Sequence, residues 1–74
     1  MKVVYHPEYD MLNILLVDKP SSESREVVDN IVFDYDENGK IVGIEIEHAN
    51  EMVDIKSLTP RMEVFYGIQE QKTA

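Results

Sequence analysis

Asn30-Ile31-Val32-Phe33-Asp34-Tyr35-Asp36-Glu37-Asn38-Gly39-Lys40-Ile41-Val42-Gly43-Ile44-Glu45-Ile46-Glu47 is the stretch that decides the fold. Two runs rich in β-branched and aromatic residues flank Asp36-Glu37-Asn38-Gly39, whose glycine can take the left-handed conformation a tight turn needs. The segment therefore reads as a hairpin. Pairing Tyr35 with Lys40 sets Phe33 opposite Val42 and Ile31 opposite Ile44, which gathers apolar residues on one face. Asp34, Glu45 and Glu47 then point the other way.

Upstream, Lys2 to His6 is a strand that Pro7 stops, with Glu8-Tyr9-Asp10 continuing the turn. Met11 to Val17 is apolar on both faces, with Leu12, Ile14 and Leu16 on one and Met11, Leu15 and Val17 on the other, so it reads as a central strand. Asp18 to Ser22 is a loop, and Glu23 to Val28 alternates as an edge strand would. Downstream, Asn50 is placed to cap a short helix carrying Met52, Val53, Ile55 and Leu58, which Pro60 ends. Arg61 to Ile68 alternates again as a last strand, and the polar tail 69–74 should fray. The expected fold is α+β: a mostly antiparallel sheet, a meander of about five to six strands, with one short helix on one face. Tyr5, Leu12, Ile14, Phe33, Ile44 and Tyr66 are its expected core.

The whole 74-residue chain fits one domain (1–74), too short for a second independent core. Seven basic against fifteen acidic side chains give a net charge of −8, which repels a phosphate backbone and argues against nucleic-acid binding. The longest apolar run, Ile14 to Val17, is far short of a membrane span. Without cysteine there are no disulfides and no thiolate metal sites, which fits a reducing compartment, and we expect a cytoplasmic protein.

Asp34-x-Asp36-x-Asn38-Gly39 followed by Glu45 satisfies the spacing of an EF-hand calcium loop, which makes Asp34, Asp36 and Asn38 the candidate metal ligands. The flanks, however, prefer strands, and Glu45 lies about 16 Å beyond Lys40 along an extended chain rising about 3.3 Å per residue. A hairpin turn is the expected reading, with no metal and no cofactor. His6, Glu8 and Asp10 surround one turn and could serve as ligands or as an acid–base pair, but polar residues beside a proline more often build the turn itself. His48 has carboxylate neighbours and no second histidine placed to cooperate with it. Ser21, Ser22, Ser24, Ser57 and Thr59 lack a nucleophile elbow, and the three glycines make no phosphate-cradling loop, so no catalytic residue is expected and the chain is read as not an enzyme.

Tyr5-His6-Pro7-Glu8-Tyr9-Asp10-Met11-Leu12-Asn13-Ile14, Ser24-Arg25-Glu26-Val27 and Asp34 to Ile46 resemble the bacterial and archaeal family called domain of unknown function 2283, over about residues 2 to 49. Tyr9 and Asn13 depart from the small and aromatic residues usual there. The resemblance implies a small sheet with a helix, and no assigned reaction or catalytic residues. Some members resemble the partner half of two-gene modules with a toxin-like protein. Three functional readings follow: a non-enzymatic interaction or structural module, a calcium-binding protein acting through Asp34 to Glu45, or an acidic neutraliser of a small basic partner. A short chain with two apolar strand faces and one helix needs a further cover, and a homodimer is the expected one.

Overall fold

The computed structural model describes residues 1–64. Six strands form, β1 (Lys2–His6), β2 (Met11–Leu15), β3 (Glu23–Val28), β4 (Ile31–Tyr35), β5 (Ile41–Glu47) and β6 (Glu63–Val64), in one sheet of order β3-β4-β5-β2-β1-β6. All neighbours are antiparallel except β1 and β6, which are parallel. The sheet is thus mostly antiparallel, as expected, but not a simple meander. The chain runs from β5 to the parallel β6 past β2 and β1, and a parallel pair needs such a crossover because a hairpin cannot join it. Apolar β2 is interior and alternating β3 is an edge, in agreement with their patterns.

The hairpin forms with a register different from the expected one. Phe33 faces Ile44 and Ile31 faces Ile46, while Tyr35 faces Ile41, with an irregularity between Asp34 and Tyr35. The slip is two residues from Ile31 to Asp34, so these residues keep their predicted faces because side chains alternate with period two. One face, here the front, carries Val3, Tyr5, Leu12, Ile14, Ile31, Phe33, Ile44 and Ile46. The back carries Val4, His6, Asn13, Leu15, Asp34, Glu45 and Glu47.

Instead of one helix from Asn50 there are two four-residue turns, α1 (Ala49–Met52) and α2 (Ile55–Leu58), followed by a 3-10 turn at Thr59–Arg61. Val53 is extended between them, and Asp54 restarts the helix by accepting the Ser57 backbone N–H and the Ser57 hydroxyl. Ala49 and Ile55 pack with Tyr5 and Leu12 into the core cluster, joined by Val3, Ile46, Val53, Leu58, Met62 and Val64. Val42 is also buried. Ile14, Phe33 and Ile44 were expected in the core and are only half-buried, outside that cluster. Tyr66, the end of the last predicted strand and the polar tail lie outside the described residues.

Candidate functional site

Three groups of polar side chains hold the chemistry of the molecule, beginning with the hairpin turn. Asp36 is buried, and its Oδ1 accepts the backbone N–H of Asn38 at 2.8 Å and of Lys40 at 3.0 Å. Its Oδ2 accepts from Lys19 Nζ at 3.0 Å, which also reaches Glu37 at 3.1 Å. Gly39 has a φ of 82°, the left-handed geometry for which the turn selects glycine. The Lys40 N–H, then Lys19, hold the Asp36 carboxyl down at about 2. Both its oxygens are therefore committed to the turn and to the 18–20 loop. Asn38 contributes its backbone N–H to that turn. Asp34 sits away from it, on the back of the sheet, and among the described residues no group of three His, Cys, Asp or Glu side chains is arranged to hold a metal.

The second group joins distant parts of the chain. Asp10 has a φ of 55° and His48 a φ of 53°, two left-handed non-glycine residues where the β1–β2 turn meets the end of β5. His48 occupies the cap position of α1 without capping it. Asp10 takes over that role: its carbonyl accepts the Ala49 N–H at 2.9 Å, and its Oδ1 accepts the Asn50 N–H at 3.0 Å and Asn50 Nδ2 at 2.9 Å. Tyr5 Oη donates to the same Oδ1 at 2.7 Å and accepts from Asn50 Nδ2 at 2.8 Å. Burial, then the Asp10 carboxylate, pushes the Tyr5 phenol up. Burial works to raise Asp10 as well, but the bonds from Tyr5 and Asn50 outweigh it and leave the carboxyl low. Each group is pinned in its resting state, which is the signature of a clasp rather than of an acid or base poised near neutrality.

Asp10 does not simply fold back on its own turn, as its position before β2 suggested, and Asn50 is held by the cap rather than acting as one. His6, Glu8 and Asp10 are not brought together either. His6 meets Asn13 across the β1–β2 pair at 3.3 Å, while Glu8 is exposed. The Oδ1 of Asn13 is buried without a donor. His48 is exposed beside Asp10, whose carboxyl its charge helps to lower.

The third group is a pair of acids. Asp34 on β4 and Glu45 on β5 share the back face one step apart in the ladder. Burial, then the Asp34 carboxyl, then Glu47, hold Glu45 up at about 6. The first and twelfth positions of the calcium-loop pattern thus do meet, by lying side by side on a flat sheet rather than by wrapping an ion. Two hollows, of about 500 and about 450 Å³, lie at the other end of β2 and share Val17, Asp18 and Lys19 as a wall. Neither contains the acid pair or the clasp.

The model of a family described as "Protein of unknown function (DUF2283)" matches residues 2–50. The chain belongs to this family. The DUF2283 match runs from β1 to Asn50, so it takes in both ends of the Tyr5–Asp10–Asn50 clasp, the hairpin and the acid pair, and stops before α2 and β6. An uncharacterised protein of the archaeon Methanocaldococcus jannaschii is similar to it, 40% identical over an alignment of 57 residues that covers 74% of this chain and 48% of that protein. The chain spans about half the length of this curated relative. No solved structure matches it. No helix among the described residues is long and apolar enough to cross a membrane.

Proposed function

We propose that this DUF2283 chain is a non-enzymatic interaction module of the cytoplasm that pairs with a second copy of itself through the front face of β4 and β5. The observation that carries the reading is the half-buried apolar group Ile14, Ile31, Phe33 and Ile44, which lies beside the core cluster without belonging to it. Contiguous apolar surface of this kind marks an interaction site more often than a free surface. Charge favours the front over the back. At a net charge of −8, two copies meeting back to back would oppose the Asp34, Glu45 and Glu47 carboxyls of each. The charges bordering the front patch, Glu23 and Arg25, neutralise one another at 2.6 Å, and Arg25 stacks 5.4 Å over the Tyr35 ring.

Three strands spaced by about 4.8 Å, and three residues rising about 3.3 Å each from Ile31 to Phe33, make a patch of roughly 14 by 10 Å. That is smaller than the ~800 Å² per partner of a standard interface, so the pairing is weak and concentration-dependent. The absence of cysteine supports the compartment. The resting-state bonding of Tyr5, Asp10 and Asp36 supports a chain without turnover. Sedimentation equilibrium over micromolar to millimolar concentrations is the test. The wild-type chain should shift toward a dimer and Phe33→Asp should remain a monomer; a wild-type monomer throughout, or a dimer insensitive to Phe33→Asp, rejects the reading.

A further inference from the structure

On the back face, Glu45 stands opposite Val32 and Asp34 opposite Gly43. A Cβ at Gly43 would come within 3.1 Å of Asp34 Oδ2, so the glycine is what lets the Asp34 carboxyl lie against β5. The other Asp34 oxygen accepts the Ser24 hydroxyl from β3. One carboxyl thereby touches three strands. The groups facing it and Glu45 are Glu47 on β5 itself, Glu26 from β3, and from the β2 side Asn13 with His6 behind it; Lys2, farther off on β1, is paired with Glu63. The ion pairs Lys2–Glu63, Lys19–Asp36, Lys19–Glu37 and Arg25–Glu23 leave Asp34 and Glu45 aside. Burial, and then the neighbouring Asp34 carboxyl on the same face, favour the protonated form of Glu45.

We propose that Ser24, Asp34 and Glu45 form a proton-operated latch that fastens the edge strand β3 to the β4–β5 hairpin. With the Glu45 proton in place, Glu45 donates to Asp34 and Asp34 accepts from Ser24, a chain of hydrogen bonds crossing β5, β4 and β3. When the proton leaves, two like charges face each other. Gly43 is buried on an interior strand, whereas β3 is exposed at all six residues and pairs only with β4. The softer side yields. A single Asp34 rotamer lays one oxygen against Gly43 of β5 and turns the other to Ser24, so moving the carboxyl away from Glu45 misplaces the bond on β3. The value of about 6 for Glu45 puts the opening in the physiological range.

The latch lies on the face opposite the proposed dimer patch and is read on dilute monomer, so its failure and that of the dimer are separate results. Amide hydrogen exchange of the full chain, corrected for intrinsic rates and referenced to the β1–β2 amides, tests it. Between pH ~5 and pH ~7.5, protection of the β3–β4 amides should fall roughly fivefold in the wild type, about the range of a one-unit difference in proton affinity. Glu45→Gln, whose amide donates at every pH, should be flat across that range, and Asp34→Asn, which removes the repulsion from the other side, should be flat as well. Ser24→Ala should show low protection throughout. A wild-type profile without the fall, or a fall that persists in both carboxamide variants, overturns the proposal.

Discussion

In the β1–β2 half of the sheet the fastening residues are far apart in sequence, Asp10 reaching across forty positions to Asn50, and helical turns seal the apolar side. In the β3–β5 half the fastening is local, Asp36 bonding backbone groups two and four residues on, and the same apolar side is half-open. The first half resembles the interior of a larger protein, with Leu12 only 2% exposed and a polar clasp in which each group has a partner. The second is a hairpin joined to that core through the β2–β5 pairing and Ile46. A small chain that cannot bury everything has concentrated its interior at one end, and this leaves the other end half-open.

Substitutions can break this contrast, and the largest effect should come from the sealed half. Leu12→Ala should cost about 3 to 4 kcal/mol in urea unfolding, in the middle of the range for a buried leucine. Phe33→Ala, at a half-buried position, should cost about 2 kcal/mol or less, since less surface is returned to water. Equal costs would mean that the two halves share one core.

A smaller effect should follow from opening the clasp. Asp10→Ala removes the acceptor for the Asn50 N–H, Asn50 Nδ2 and Tyr5 Oη together, and should cost about 2 kcal/mol, the upper end for a lost cap. The amides of α1 should lose exchange protection while the β4–β5 amides keep theirs. A uniform loss would show that the clasp secures the whole sheet rather than one end.

The smallest effect belongs to the acid pair. Because Glu45 binds its proton more tightly folded than unfolded, its contribution to stability is complete below its ordinary value of 4.5 and is lost as the pH rises through about 6. Glu45→Gln should therefore match the wild type at pH ~4 and exceed it at pH ~7.5 by under about 1 kcal/mol, allowing for solvent screening. Thermal unfolding at the two pH values checks the sign.

Local chemistry made the hairpin half legible in advance. Asp36-Glu37-Asn38-Gly39 carries its own turn code, and alternation assigned Ile31, Phe33, Asp34 and Glu45 to the correct faces although the register was off by two. Period-two patterning is blind to a slip of that size, and the extra residue of a bulge leaves no sequence mark. The clasp was not legible because it depends on left-handed backbone at Asp10 and His48 and on contacts between segments forty residues apart, which no local pattern encodes. Aspartate is enriched among left-handed non-glycine residues, so Asp10 at the end of a Pro-containing turn was the one available hint. The acid pair was half-visible: the calcium-loop spacing selected Asp34 and Glu45, and the strand-forming flanks correctly argued against a loop, but the distance along the chain hid that neighbouring strands bring the two together.

The claim on which the account turns is that the open apolar half of the front face is where this chain meets its copy. Methyl and aromatic NMR shifts followed from micromolar to millimolar concentration test it directly. The account predicts concentration-dependent shifts at Ile14, Ile31, Phe33 and Ile44, with Leu12 and Val4 unmoved; shifts centred on the back face, or none at any concentration, would contradict it.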